Sequence, residues 1–314
     1  MLKITKRRLS LSIIVALCAA IIFPSQITTY TANEVTLTVD YSTNLGANQF
    51  NSSGFLMCIR NNNSENLQNE LLELKPKNWR LRSYGNSNGF DLYDTLKNTY
   101  GVNTIQIVLS DEYMMKVPDA AQRTSGGFTA MCKTIVQRAI TQGKTFEWDV
   151  INEKWLGGNS GWVNWWIDAA KGVRSVLPSA VLLGPSLDSY GASTIKSFLD
   201  TAYANGVYPD KITWHHFLNP GDIESQVAEI RAYAASKGYP ERPIAINEMP
   251  PNNNGSGPYF SPGVFVSGMA QVRRANITSN YSIWSIPGTP LTEDHADHSI
   301  YNNLIWANDF TSVA

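Results

Sequence analysis

The sequence predicts a single (β/α)8 barrel, and three observations lead there. From residue 54 onward, short apolar runs alternate with longer stretches of helical period, the rhythm of βα units around a parallel sheet. Eight such runs can be drawn with helices between them, and no Pro/Gly/Ser-rich linker interrupts the series. Polar groups gather where the runs end, whereas the opposite ends read as ordinary turns, such as Lys75-Pro76-Lys77, Pro209-Asp210 and Glu241-Arg242-Pro243. A doubly wound open sheet is the alternative, but no Gly-rich phosphate fingerprint follows an early strand, and no cofactor is expected.

The elements follow in order. Lys3, Lys6, Arg7 and Arg8 precede the apolar run Leu11–Phe23. A basic head and a short apolar middle read as a secretory signal peptide, assigned to residues 1–32. The run is short for a transmembrane helix, and an uncleaved membrane anchor is the alternative. Residues 33–53 form a lead-in in which Val35–Asp40, alternating and β-branched, is expected to be a strand outside the barrel proper. The barrel is assigned to 54–314. Its expected strands are Phe55–Arg60, Trp79–Tyr84, Thr104–Leu109, Phe146–Asn152, Ala180–Gly184, Lys211–His216, Ile244–Glu248 and Tyr281–Ile286. Helices are expected at Ser64–Leu74, Gly89–Tyr100, Gly126–Gln142, Trp162–Leu177, Ser193–Asn205, Ile223–Lys237 and Gly263–Arg274.

The helix beginning at Ile223 shows the logic. Ile223, Val227, Ile230 and Ala234 share one face, Asp222 is an N-cap and Gly238 a C-terminal stop. Trp162, Trp165 and Trp166 also follow helical spacing, so they are expected to pack on the barrel rather than to form a sugar platform. Cys18 leaves with the signal peptide. Cys58 and Cys132 then either pair or remain as buried thiols.

Composition narrows the function classes. A net charge of −1, with no long Lys/Arg stripe, argues against a nucleic-acid or polyanion binder. The 9 Trp and 14 Tyr suit sugar stacking as well as core packing, so they decide little on their own.

The strand ends are more specific. The fourth run closes on Asn152-Glu153 and the seventh on Asn247-Glu248. Two carboxylates at the C-terminal ends of different strands suit glycosidic bond cleavage, which needs a proton donor on one side and a nucleophile or base on the other. Glu153 is the candidate acid/base and Glu248 the candidate nucleophile. Arg82, ending the second strand, is expected to hold Glu248 ionised and oriented. Asn152 is suited to bind a sugar hydroxyl, and His215 or His216 to tether Glu248 or the substrate. Asp149 lies on the same face of its strand as Glu153 and is read as a supporting charge at most. No metal is expected: His295 and His298 with Asp294 and Asp297 read as loop residues or sugar contacts.

Trp148-Asp149-Val150-Ile151-Asn152-Glu153 resembles the acid/base motif of glycoside hydrolase clan A, the retaining (β/α)8 glycosidases, and Ile244-Ala245-Ile246-Asn247-Glu248 resembles its nucleophile strand. Asp210–Phe217 is similar to the sixth-strand segment of the β-xylosidase-type family 39, with Phe217 where that family usually shows Tyr. The resemblance covers roughly residues 54–290. It implies His215 as the site histidine, Arg82 as the second-strand arginine and Trp284 as a sugar-stacking wall. Members near that family often carry a C-terminal β-sandwich; none is expected here, and Val35–Asp40 resembles a strand that would pair with one. Trp155, in the loop after Glu153, is the best candidate for a further sugar contact.

The expected activity is therefore secreted, retaining hydrolysis of β-linked polysaccharides or oligosaccharides, with carbohydrate as the partner and no stable membrane insertion of the mature chain. A non-catalytic carbohydrate-binding barrel and a polysaccharide lyase are the alternatives. Intact Glu153, Glu248 and Arg82 speak against the first, and the absence of a basic cleft against the second.

Overall fold

The computed structural model describes residues 54–56, 72, 75–85, 88–154, 161–216, 222–249, 268, 270–277, 279–280 and 283–284. The chain divides into Met1–Asn48 and Gln49–Ala314, and every described residue belongs to the second unit. The signal segment, the strand Val35–Asp40, Cys58, Trp155 and the loop histidines His295 and His298 lie outside the described residues.

Seven strands run parallel in sequence order: β1 (Gly54–Leu56), β2 (Asn78–Arg82), β3 (Thr104–Val108), β4 (Glu147–Asp149), β5 (Val181–Leu187), β6 (Lys211–His215) and β7 (Ile244–Glu248). Two short segments fill the eighth position. β8 (Ser279–Asn280) pairs with β7, and β9 (Ile283–Trp284) pairs with β1. The result is a nearly closed (β/α)8 barrel. The eighth strand was expected at Tyr281–Ile286; Ile283–Trp284 pairs within that span, and Ser279–Asn280 pairs just before it.

Among the described residues six α-helices lie between the strands: α1 (Gly89–Asp94, continuing as a π-turn over Thr95–Thr99), α2 (Ser110–Lys116), α3 (Ser125–Thr141), α4 (Trp162–Val176), α5 (Ala192–Ala204) and α6 (Ile223–Ser236). Residues 270–274 are helical as well. Five of these, α1 taken with its π-turn, match their expected spans to within two residues. In α6, Ile223, Val227, Ile230 and Ala234 are the buried residues, and Gly238 stops the helix at φ 67°. α2 was not expected. Its seven residues are too few to show a period, and its first turn is acidic, with Asp111 and Glu112 at the end where the helix dipole favours negative charge.

Alternation along the strands divides their side chains between two environments. Trp79, Leu81, Ile105, Ile107, Trp148, Leu182, Ile212, Trp214, Ile244 and Ile246 join the apolar layer against the helices. The other parity supplies a polar barrel interior, in which Arg80, Gln106, Asp149, Thr213 and Asn247 are all almost fully buried. The tryptophans of α4 pack as expected. Trp165 stacks with Phe128 of α3 at 6.3 Å, and Trp162 with Phe198 of α5 at 5.7 Å. Cys132 of α3 is a free, buried thiol, and burial pushes its pKa well above the ordinary value. No helix among the described residues is long and apolar enough to cross a membrane.

Trp166 fixes α4 to β5 by donating its Nε1–H to the Leu183 carbonyl at 3.0 Å. This works because the next strand residue is Gly184: a Cβ there would lie 2.5 Å from Trp166 Nε1 and 3.0 Å from Phe198 Cζ. Gly184→Ala is therefore expected to cost about 1–3 kcal/mol by overpacking, read from urea unfolding. An unchanged midpoint would show that the indole can move aside without loss.

Candidate active site

The site is built upward from a buried charge. Asp149, the last residue of β4, is fully buried in the barrel interior. An isolated carboxylate there would cost several kcal/mol, so its partners decide whether the interior is stable. Arg80 approaches its Oδ2 with Nε at 3.2 Å and Nη2 at 2.7 Å. Asn247 Nδ2 donates to Oδ2 at 3.0 Å, and the Ser186 hydroxyl donates to Oδ1 at 2.6 Å.

The sheet is irregular at two places around this network. Between β5 and β6 the register slips around Ser186, which sits at φ 51°. Between β6 and β7 it slips so that His215 stands opposite Glu248, leaving Asn247 as the extra residue. Such bulges re-aim a side chain that regular alternation would send elsewhere. The first sends the Ser186 hydroxyl to Asp149; the second lets Glu248 join Asn247 on the interior face, and Asn247 also donates to Ser186 Oγ at 2.8 Å.

Arg80 carries the network to the rim. Its Nη1 donates to Glu248 Oε1 at 2.7 Å and its Nη2 to Asn152 Oδ1 at 2.7 Å. Burial opposes the charge on this guanidinium, but Asp149 and Glu248 outweigh it and raise the Arg80 pKa above that of a free arginine. Sequence reasoning gave this place to Arg82, and the structure gives it to Arg80. The two residues share strand parity, so alternation cannot separate them; depth does. Arg82 ends the strand with its side chain 38% exposed, and it pairs with Asp111 through Nε at 2.8 Å.

Glu153 reaches the same place from β4. Past Asp149 the strand leaves the ladder, because Asn152 N–H bonds to Ser110 Oγ at 2.9 Å and Glu153 N–H to the Ser186 carbonyl at 2.8 Å. Glu153 and Lys154 then take left-handed backbone at φ 53° and 60°. Consecutive non-glycine residues in that region carry strain that the surrounding contacts must hold. The turn delivers the Glu153 carboxylate to His215, whose Nδ1 lies 2.8 Å from Glu153 Oε1 and 3.8 Å from Glu248 Oε2. One ligand atom from each of Glu153, His215 and Glu248 falls within a 4.8 Å circle of mutual distances.

The structure thus brings together Glu153, Glu248, Asn152 and His215. His216 is buried beside them, its backbone N–H on the Glu248 carbonyl at 2.8 Å. Trp284 is placed by its backbone alone, paired with Leu56. Arg80 and Asp149 were under-read. The available signal was an Asp inside a strand of apolar neighbours, which demands a buried cation on the same interior face. The three clustered donors are chemically able to bind a divalent metal. Arg80, 2.7 Å from Glu248, already supplies positive charge that a cation would have to oppose.

The fold and site define a (β/α)8 barrel whose C-terminal rim presents two carboxylates face to face. No protein-family model and no curated protein matches the sequence. Solved structures do match, at low identity. N2152 from Neocallimastix frontalis superposes with a TM-score of 0.64 at 20% identity, over 74% of this chain and 60% of that one. A family 39 β-xylosidase from Caulobacter crescentus gives 0.58 at 14% identity, over 81% and 68%. The catalytic core of xylanase A gives 0.54 at 14%, over 79% and 91%. The chain spans only 60% and 62% of the lengths of N2152 and of a glucosidase from Croceicoccus marinus. The fold neighbours therefore include glycoside hydrolases of clan A, family 39 being one of several.

The network makes a stability prediction that separates the two arginines. Arg80→Met strands Asp149 and Glu248 and is expected to cost about 3–5 kcal/mol. Arg82→Met removes a guanidinium, on a side chain that is 38% exposed, from the nearly buried Asp111, and is expected to cost less, about 1–3 kcal/mol. Guanidinium unfolding curves of both variants check the order, and equal losses would contradict it.

Proposed function

We propose that this chain is a retaining glycoside hydrolase of β-linked saccharides, with Glu153 as acid/base and Glu248 as nucleophile. The observation that carries this reading is the pair of facing carboxylates, with oxygens within 4.8 Å, at the ends of β4 and β7. Retaining glycosidases hold their carboxyl groups about 5–5.5 Å apart, whereas inverting ones leave about 6.5–9.5 Å for a water. The solved β-xylosidase and xylanases that share the fold support the same reaction class.

The residues divide the work by their surroundings. Glu248, gripped through Oε1 by Arg80, is presented with Oε2 free of that contact to attack the anomeric carbon. Glu153 hands a proton to the departing glycosidic oxygen, then takes one from the water that releases the glycosyl–enzyme. His215 bridges the two glutamates and fixes the rotamer of Glu153. Asn152, held by Arg80 through its carbonyl oxygen, keeps its amide N–H groups for a sugar hydroxyl beside the nucleophile. The basic head and apolar run at the N-terminus support export, so the substrate is taken to be extracellular polysaccharide or its fragments.

The test is hydrolysis of aryl β-glycosides (xyloside, glucoside, galactoside, arabinoside) and of β-linked polysaccharides with product sizing. Glu248→Gln is expected to lower kcat by at least about 10⁴-fold. Glu153→Gln should spare nitrophenyl substrates, whose leaving group needs little protonation, far more than natural linkages. A carbohydrate-binding barrel without turnover would bind oligosaccharides yet release nothing from any substrate.

A further inference from the structure

Beside Glu153 lies a hollow of about 460 Å³, lined by Arg82, Tyr84, Asp111, Met114, Met115, Asn152 and Glu153. That is within the roughly 300–1,000 Å³ of small-molecule sites. It opens from the acid/base towards the ends of β2 and β3, and Glu248 is not among its walls.

Its polar wall is assembled rather than incidental. Arg82 spends its Nε on Asp111 Oδ2, one of the five N–H donors that a guanidinium carries. Its Cζ lies 5.9 Å from the centre of the Tyr84 ring, so the fork is held between an aromatic face and a carboxylate. Asp111 is only 8% exposed, and its Oδ1 is buried with no hydrogen-bond partner among the described residues. Burial raises the Asp111 pKa despite the opposing charges of Arg82 and Arg80. The Asp111 carboxylate, next to a guanidinium with donors to spare, matches a pair of adjacent hydroxyls: one hydroxyl donates a hydrogen bond to the carboxylate while its neighbour accepts one from the arginine.

We propose that Arg82 and Asp111 form a clamp for a vicinal diol of a neutral sugar unit, making this hollow a specificity-determining subsite next to the cleaved bond. The inference rests on the glycosidase reading for its substrate class. Charge excludes an acidic sugar. The Arg82 charge is already answered by Asp111, and Lys116 is answered by Glu112, whose other oxygen takes the Ser83 hydroxyl. A uronate carboxylate would meet Glu153 and Asp111 with no uncommitted cation among the described residues that line the hollow. Met115, 48% exposed, and the half-buried Tyr84 ring offer apolar surface for the C–H face of the sugar.

The experiment is calorimetric titration of the full chain carrying Glu248→Gln, which binds without turnover. The probes are tetrasaccharides of β-linked xylose, glucose, mannose and galactose, together with a glucuronate-bearing xylotetraose. At least one neutral probe is expected to bind, and adding Asp111→Asn or Arg82→Gln to weaken it about 10- to 100-fold. Removing single hydroxyls from the best probe gives a check that needs no further variant. One deoxy position should lose affinity in the Glu248→Gln parent and lose nothing more once Asp111→Asn is present. Unchanged affinity in both clamp variants, tighter binding of the acidic probe, or silence on every neutral probe would overturn the proposal. The two readings fail separately. Clamp-dependent binding with no hydrolysis by the unmutated chain would sink the hydrolase reading alone; hydrolysis of aryl glycosides with clamp-independent binding would sink the clamp alone.

Discussion

One buried guanidinium organises the upper half of this barrel. Arg80 touches Asp149 below, Glu248 to one side and Asn152 above, and each of these contacts is 2.7 Å at its shortest. A buried ion pair seldom stabilises a fold relative to apolar residues of the same volume. What the charge provides is position. Arginine has a rigid planar fork, so three acceptors around it are fixed relative to one another as well as to the strand that carries it. Glu248 is oriented by the same group that is anchored through Asp149 to β4, the strand leading into Glu153. The spacing of the two carboxylates is thus set by interior polar contacts as much as by the curvature of the sheet.

The sheet gives up regularity to make this possible. An ideal strand would turn Asn247 and Glu248 to opposite faces, and Ser186 would follow Pro185 in strict alternation. The β5/β6 slip breaks that rule to bring the Ser186 hydroxyl to Asp149, and the β6/β7 slip breaks it to set Glu248 opposite His215 on the interior face that Asn247 already occupies. Ser186 pays with a left-handed backbone and returns three bonds: its hydroxyl to Asp149, its N–H to Thr213 Oγ1, and its carbonyl to the Glu153 N–H. That last bond joins the buried network to the strained turn carrying Glu153. Strain at Glu153 and Lys154 therefore persists because fixed neighbours, Ser110 at the start of α2 and Ser186 on β5, over-determine it.

Much of this was legible in the residues. The strand–helix rhythm gave the barrel, and most helices fell within two residues of expectation because their apolar faces are strongly periodic. The rim glutamates were legible because strand ends in a parallel barrel share one face. Two kinds of feature were not. Bulges leave no mark in a hydropathy pattern: Pro185 reads as a stop, so β5 was ended at Gly184 although it continues to Leu187. Depth within a strand is equally silent, and Arg80 and Arg82 differ by one pleat repeat with the same parity. Only the demand for a cation beside Asp149 distinguishes them, and that demand becomes visible once Asp149 is recognised as interior.

The misplaced arginine carries its own lesson about how such sites diversify. With Arg80 committed to the buried network, Arg82 is released from any duty to Glu248. It stands one repeat nearer the solvent, braced by Tyr84 and Asp111 at the edge of the hollow beside Glu153. Residues that fix the reacting carboxylates thus lie below, where substitution strands a buried charge. Residues at the edge of the hollow, proposed to meet the rest of the ligand, lie above, on the last strand residue and on the first turn of α2. The separation is one of depth along a single strand, and it lets recognition vary while the spacing of Glu153 and Glu248 is held constant.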